Sequence, residues 1–276
     1  MHPTHKPTAG RRRRVATSSV AVLALAFGVV ACGDDGDDLG TGTTTSTSPT
    51  VGQDAGEGAG TTTPDDGLAV EGFCNAFIRL SSSLMGEPDP ATLEPLLQEL
   101  ESAAPEEVRE QAAVQANAFR QALAGDEAAL EAPEFGQASA AVSRYAFDQC
   151  SADDKVEVTG VDYAFQGVPD TVEAGTVAFS FTNEGREPHE MIILGLPDDA
   201  EETLPYLQRI SELPEDEAQA EVMIAGATFA PPGASSATFI DLEAGDYVMA
   251  CFIPVGGGEE GRPHFSEGMF AEFTVE

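Results

Sequence analysis

Apolar residues recur every three or four positions between residues 68 and 152, as they do along one face of an α-helix. Pro90, which follows Asp89, and Pro105 stand where helices are expected to begin, because proline suits a first helical turn and aspartate caps it. The repeating positions are Phe73, Phe77, Leu80, Leu84, Leu93, Leu96, Leu97, Leu100, Val108, Ala112, Phe119, Leu123, Val142, Tyr145 and Ala146. The pattern predicts a small bundle of about four helices with short connections.

From residue 153 to residue 276 the pattern changes to short segments in which apolar and polar residues alternate, which is typical of half-buried strands. The predicted strands are Val156–Val158, Thr176–Thr182, Glu190–Leu194, Ala237–Asp241, Tyr247–Cys251 and Phe270–Val275. An insertion at about 198–222 is the exception, because residues 201–210 and 215–222 have helical spacing. The predicted fold class is α+β multidomain, with an N-terminal helical bundle followed by a Greek-key β-sandwich.

The first 31 residues have the pattern of an export signal. Arg11–Arg14 precede an apolar run, Val20–Ala31, which is too short to span a bilayer comfortably and fits a signal peptide. The run ends at Ala31-Cys32-Gly33, which resembles a bacterial lipobox. This implies cleavage before Cys32, acylation of Cys32, and a protein anchored to the outer face of the cytoplasmic membrane. The alternative is an ordinary secreted protein with a free cysteine.

Residues 32–67 are rich in Gly, Thr, Ser and Asp and contain few apolar residues. Such a segment cannot bury enough apolar surface to offset the entropy lost on folding. It is therefore predicted to be a disordered tether that separates the folded part from the membrane.

The charge balance is strongly acidic. The chain has 13 basic and 48 acidic residues, and a chain beginning at Cys32 would retain eight of the basic ones, for a net charge of −40. Such a surface repels nucleic acid and favours a cationic partner or metal cations, although it can equally serve only to keep the protein hydrated. The excess of Arg over Lys resembles actinobacterial sequences.

The cysteines divide by position. Cys74 lies in the first predicted helix and Cys150 at the end of the last, so outside the cytoplasm the two are predicted to form a disulfide. The alternative is two buried free thiols. If Cys32 is acylated, Cys251 is the one unpaired thiol, and such a thiol in an oxidising compartment needs burial or a metal.

Four candidate metal ligands lie in the predicted β-domain. Beyond Cys32 the chain has only two histidines, His189 and His264, and Met269 follows the second. Two His, one Cys and a weak axial Met form the ligand set of a blue-copper site. Zinc is the main rival, but it prefers tetrahedral N, S or O ligands and gains little from a thioether. A scaffold that binds no metal is the other alternative.

Four motifs extend this ligand set to a resemblance. They are Gly175-Thr-Val-Ala-Phe-Ser-Phe-Thr-Asn183, Asn183-x-Gly185-x-x-Pro188-His189, Gly245-x-Tyr247-x-x-x-Cys251 and His264-x-x-x-x-Met269. Together they resemble the cupredoxins, the plastocyanin- and azurin-like domains, over about 120 residues from Val156 onward. The resemblance implies a type 1 copper site held by His189, Cys251, His264 and Met269. It also implies one-electron exchange with a redox partner protein. The helical bundle is not part of it.

One feature departs from the family. Twelve residues separate Cys251 from His264, more than most cupredoxins have. A longer loop adds little closure entropy but is compatible with a looser or more open site. The acidic pair at positions 259 and 260 within it is interpreted as a solvated loop tip, with a docking surface as the alternative.

These observations favour a membrane-tethered electron carrier over an enzyme. No nucleophile–base pair or phosphate-binding loop is apparent, and a multicopper oxidase would need further histidines. Two alternatives stay open. One is a lipoprotein that binds or delivers copper without redox turnover, and the other is a metal-free module whose helical bundle binds a protein partner.

Overall fold

The computed structural model describes residues 64–84, 89–197, 202–214, 217–218, 221–258 and 261–276. The predicted signal peptide, the predicted acylation site Cys32, most of the predicted tether and the acidic pair at 259–260 lie outside these residues. Within them, no helix combines the length and the apolar character that a membrane crossing requires.

The N-terminal helices form where the apolar spacing predicts them. They are α1 (Pro64–Ser83), α2 (Pro90–Ala103), α3 (Arg109–Leu123) and α4 (Pro133–Gln149), with a 3-10 turn at Glu127–Leu130 before α4. Asp89 caps α2 by accepting a hydrogen bond from the Ala91 N–H at 3.1 Å. Pro105 instead begins a turn, and α3 starts four residues later. The predicted apolar positions Phe73, Leu97 and Val142 are fully buried in one core.

The predicted disulfide is present. It joins Cys74 in α1 to Cys150 directly after α4, with the two Cα atoms 5.5 Å apart and a sequence separation of 76. The bridge closes the bundle by tying its first helix to its last. In the described part of the chain, Cys251 is the remaining free cysteine, and it is buried.

The C-terminal residues form a sandwich of two sheets. In the described residues the strands are β1 (Asp154–Val161), β2 (Ala164–Gln166), β3 (Thr171–Val172), β4 (Gly175–Asn183), β5 (His189–Gly195), β6 (Met223–Ala230), β7 (Ser235–Leu242), β8 (Gly245–Ala250) and β9 (Phe270–Val275). The strand orders are β2-β1-β4-β7 and β3-β9-β8-β5-β6. The pairs β1–β4 and β3–β9 are parallel and the others antiparallel. The predicted fold class is confirmed, and each predicted strand is present.

Alternation along the strands decides what each sheet face covers. In β4, Val177, Phe179 and Phe181 point into the core between the sheets. Ala178 points to the opposite face, together with Phe239 of β7. These two residues join the core of the helical bundle, where the Phe239 ring meets the Phe77 ring edge-on at 6.0 Å. The bundle therefore covers the outer face of the first sheet.

The insertion covers the outer face of the second sheet. Its helix α5 (Thr203–Ser211) buries Tyr206, Leu207 and Ile210 in a cluster with Ile192 of β5 and Val248 of β8. The second predicted insertion helix, at 215–222, lies only partly within the described residues, of which 217, 218 and 221 are helical. Strands β5 and β8 are consequently buried on both faces, which explains their nearly continuous apolar sequences.

Candidate metal centre

Strand pairing brings the candidate ligands to one end of the sandwich. His189 is the first residue of β5 and Cys251 directly follows β8, and these two strands run antiparallel side by side. The start of one strand therefore lies next to the end of the other. His264 opens a 3-10 turn (His264–Glu267) that leads into β9, the other neighbour of β8.

The three side chains form a compact cluster. The two Nδ1 atoms of His189 and His264 lie 3.1 Å apart, and Cys251 Sγ lies 3.3 Å from His264 Nδ1. Their candidate ligand atoms all lie within 4.8 Å of one another. All three residues have no exposed surface. A cation at this point would meet two imidazole nitrogens and one sulfur with no competing water.

Met269 lies alongside this cluster. Its N–H donates to the His264 carbonyl at 3.1 Å, and its own carbonyl accepts from the Cys251 N–H at 3.2 Å. Gly268 permits the tight turn between His264 and Met269, because its φ of 115° is one that other residues rarely adopt. The Met269 side chain is fully buried. The backbone thus couples Met269 to two of the candidate ligands.

The long loop between Cys251 and His264 folds back on itself instead of opening the site. Pro254 pairs with Pro263, and the Val255 N–H donates to the Arg262 carbonyl at 2.9 Å. The His264 N–H donates to the Ile253 carbonyl at 2.9 Å. The loop base is therefore closed by backbone hydrogen bonds.

Two carboxylates that the sequence did not single out hold the outer nitrogens of the imidazoles. Asp162 Oδ1 lies 3.3 Å from His189 Nε2, and Glu187 Oε2 lies 3.2 Å from His264 Nε2. Glu187 is an unspecified position of the motif that ends at His189. Asp162, in the turn between β1 and β2, has no local sequence signal because only folding brings it to the site.

Both carboxylates are themselves supported. Asp162 accepts hydrogen bonds from the backbone N–H and the Nε–H of Arg186, each at 2.9 Å. Glu187 accepts from the Tyr163 hydroxyl at 2.7 Å and from the Gly256 N–H at 2.6 Å. The second bond ties the long loop to the site. The carboxylates are therefore part of a connected network and not isolated charges.

The environment keeps the imidazoles neutral and the carboxylates charged. Burial lowers the pKa of His189, to which the nearby His264 adds, and burial also lowers the pKa of His264. Burial alone would raise the pKa of Asp162, but hydrogen bonds from Arg186 outweigh it and lower that pKa to about 2. In Glu187, burial is likewise outweighed by hydrogen bonds, first from Tyr163, and its pKa is lowered.

The pKa of the Cys251 thiol is shifted in the opposite direction to the pKa values of the two histidines. Burial, and then the nearby Glu190 carboxylate, raise its pKa, so that without a cation it remains protonated. The Glu190 N–H points at Cys251 Sγ at 3.4 Å. A metal ion would have to displace the thiol proton, which couples binding to pH. A buried thiol beside two neutral imidazoles suits a cation that prefers sulfur and nitrogen ligands better than it suits a cation that prefers oxygen ligands.

Asn183 and Gly185, the first two fixed positions of the motif that ends at His189, both have structural roles. The fully buried Asn183 amide donates to the carbonyls of Glu187 and Ala230 at 2.9 and 2.8 Å and accepts from the Gly185 N–H at 2.8 Å. A Cβ on Gly185 would come within 2.6 Å of His189 Nε2. The motif therefore shapes the loop that carries both Glu187 and His189.

No protein-family model matches the chain, and no curated protein matches it in sequence. Among solved structures, a dithionite-reduced auracyanin from Roseiflexus castenholzii is similar, with 21% identity and a TM-score of 0.33 over 46% of this chain and 99% of that one. Auracyanin A from Chloroflexus aurantiacus, described as a "blue" copper protein, has 18% identity and a TM-score of 0.30 over 44% and 98%. Rusticyanin from Thiobacillus ferrooxidans has 20% identity and a TM-score of 0.29 over 46% and 84%.

The fold of the C-terminal domain is established by this chain's own features. The sandwich, the ligand positions on neighbouring strands and the buried His–Cys–His cluster all agree with the motifs in the sequence. The C-terminal domain is a cupredoxin-type β-sandwich.

Proposed function

We propose that this protein is a type 1 copper protein that transfers single electrons. The observation that carries the proposal is the convergence of His189 Nδ1, His264 Nδ1 and Cys251 Sγ in one buried cluster. Imidazole and thiolate are the ligands of blue-copper sites, and the buried thioether of Met269 would be the weak fourth ligand. Bound copper would supply the one-electron redox chemistry. The chain's residues would hold it and exclude water.

The backbone around the cluster suits this role. His189 and Cys251 extend from paired strands, and the His264 turn is held by hydrogen bonds to residues 251 and 253. Ligands on rigid elements keep their geometry when the charge of the metal changes. Each cycle would accept one electron from a reduced donor protein and pass one electron to an oxidised acceptor protein.

Complete burial of the two histidines favours electron transfer over copper delivery. Delivery requires an incoming ligand to reach the metal, whereas His189, Cys251 and His264 have no exposed surface. An electron, in contrast, needs no open path. We do not propose an enzymatic role, because both histidines beyond Cys32 belong to this one site and none is left for a second metal centre.

The test is the visible spectrum of the copper-loaded chain. The wild type is expected to take up one copper per chain and show an intense visible absorption from the Cys251 thiolate. Cys251→Ser is expected to abolish this absorption, whereas Met269→Leu is expected to keep it and change the reduction potential.

A colourless copper-loaded wild type would contradict electron transfer at a type 1 site. If His264→Ala then bound copper as tightly as the wild type, a copper-handling role would replace it. Failure of all variants and of the wild type to bind copper would favour the metal-free interaction module.

We also propose that the protein is tethered to the outer face of the cytoplasmic membrane. The lipobox-like segment that ends at Cys32, after a basic and apolar leader, supports this proposal. Several acyl chains on one residue anchor a protein stably where a single chain does not. Mass spectrometry of the protein from membranes is expected to show a chain that begins at acylated Cys32, and an unmodified Cys32 would contradict the anchor.

A further inference from the structure

Each imidazole of the metal centre has one nitrogen facing the cluster and the other facing a carboxylate. The Nδ1 atoms of His189 and His264 face each other, while the Nε2 atoms face Asp162 and Glu187. An ionised carboxylate can only accept a hydrogen bond. Both Nε2 atoms must therefore carry the proton.

This arrangement leaves two lone pairs facing each other across 3.1 Å, the distance between the two Nδ1 atoms. Two neutral acceptors at that separation repel each other unless a cation or a proton lies near both. Cys251 Sγ, 3.3 Å from His264 Nδ1, is the third electron-rich atom of the cluster. By fixing the proton on each Nε2, the carboxylates thus leave both Nδ1 lone pairs facing the cluster before a metal binds.

The two carboxylates reach the site from different loops, and each contacts a different imidazole ring. Asp162 is held by Arg186, while Glu187 is held by the Tyr163 hydroxyl and the Gly256 N–H. Their side chains are mostly shielded, with exposed fractions of 14% and 25%. Shielded charges interact more strongly with a nearby ion than charges in water do.

We propose that Asp162 and Glu187 are positioning residues that hold His189 and His264 as Nε2–H tautomers, and that their negative charges favour the more highly charged state of a bound metal. The first consequence is tighter metal binding, because outer partners of metal-bound histidines orient the ring and raise its basicity. The second is a lower reduction potential, because Cu(II) gains more than Cu(I) from two nearby anions. The second consequence rests on the proposed copper function, and the first does not.

The test compares the wild type with Asp162→Asn and Glu187→Gln, which keep the side-chain shape and remove the charge. An amide can donate to Nε2 as well as accept from it, so the tautomer is no longer imposed. The control is Glu184→Gln, because Glu184 is exposed, lies in the same loop and contacts Gly160 through its backbone N–H. Tyr163→Phe adds a variant that removes one support of Glu187 and keeps its charge.

The first measurement uses the full chain without metal. Nitrogen-15 NMR of the imidazoles is expected to show Nε2–H on both histidines of the wild type. Asp162→Asn is expected to change His189, and Glu187→Gln is expected to change His264, while Glu184→Gln changes neither ring. An Nδ1–H tautomer in the wild type, or variants that leave both rings unchanged, would overturn the proposal.

The second measurement uses Zn(II) as a probe without redox chemistry. Each site variant is expected to bind it about 10- to 100-fold more weakly than the wild type, and the control variant equally well. If one site variant does not fold, as judged by circular dichroism, the other tests the proposal alone because it acts on a different ring. Unchanged Zn(II) affinity in a folded variant would refute the positioning role.

The third measurement is the reduction potential of the copper-loaded chain. Asp162→Asn and Glu187→Gln are each expected to raise it. A tenfold larger loss of Cu(II) than of Cu(I) affinity corresponds to about 59 mV. Tyr163→Phe is expected to produce a smaller rise, since the charge remains. Equal potentials in the wild type and both charge variants would overturn the electrostatic part of the proposal.

The outcomes separate this inference from the proposed function. Changed tautomers and weaker Zn(II) binding, in a wild type that stays colourless with copper, would support the positioning role and refute electron transfer. A coloured wild type that loses its absorption in Cys251→Ser, with unchanged tautomers in the charge variants, would support electron transfer and refute the positioning role.

Discussion

The helical bundle and the β-sandwich differ in what they bury. Among the described residues, the buried polar side chains of the bundle are Gln115 and Ser143, which both retain some exposure. The sandwich buries Asn183, His189 and His264 with no exposure at all, and these three belong to one site. The bundle therefore buries these two polar side chains almost completely, whereas the sandwich places its three fully buried ones together in one site.

This difference indicates that the bundle contributes mainly to stability, whereas the sandwich carries the chemistry of the site. Burying a polar group costs free energy unless it finds a hydrogen-bond partner. In the site, Asn183 and both histidines have such partners, and the charged partners Asp162 and Glu187 are supported in turn. The bundle is held instead by apolar packing and the Cys74–Cys150 bridge. A change in the bundle should consequently alter stability and leave the metal centre intact.

The largest expected effect on stability comes from removing the disulfide. Replacing Cys74 and Cys150 with serine is expected to lower the free energy of unfolding by about 4–5 kcal/mol, because the bridge restricts a long loop of the unfolded chain. Far-UV circular dichroism during chemical denaturation would measure the loss. The visible absorption of the copper-loaded variant should stay that of the wild type while the chain is folded.

The reduced wild type is the control, since it lacks the bridge but keeps both thiols. A disulfide variant with unchanged stability would contradict the role given to the bundle. An altered copper absorption in a folded variant would show that the two regions are coupled through the packing of the bundle on Phe239 and Ala178.

A smaller loss of stability with a larger effect on the site is expected for Asn183→Ala. The substitution leaves the Glu187 and Ala230 carbonyls and the Gly185 N–H without their partner. The expected cost is about 1–3 kcal/mol in the free energy of unfolding. Because the same loop carries His189, the copper absorption is expected to shift and copper is expected to dissociate faster.

Thr182→Ala is the matched control on the same strand, because it removes one hydroxyl contact to Ser235 outside the site. It should cost about 0.5–1.5 kcal/mol and leave the absorption unchanged. If Asn183→Ala destabilised the protein without affecting copper, the loop would not depend on Asn183 for its shape, and the contrast between the two regions would lose its main support.

Much of the fold could be predicted because it depends on local patterns. Helical spacing located Phe73, Leu97 and Val142 in the bundle core, and alternation located the six predicted strands. The short strands β2 and β3 were not predicted, because two or three residues are too few to show a period. Strand β6 was not predicted either, since its small residues and glycine do not alternate clearly.

The sequence by itself also determined which residue types converge at the site. Beyond Cys32 it contains two histidines and one cysteine outside the disulfide, and all three carry the spacing of known motifs. Spacing is a local property of the sequence, so it can be identified without the structure.

Only the tertiary structure decided the surroundings of those residues. Asp162 is 27 residues from His189, and Glu187 is 77 residues from His264, so no periodicity relates them. The closed base of the long loop and the burial of both histidines likewise depend on segments that meet only after folding. Hydrogen bonds and exclusion of water act through space, whereas sequence patterns report only neighbours along the chain.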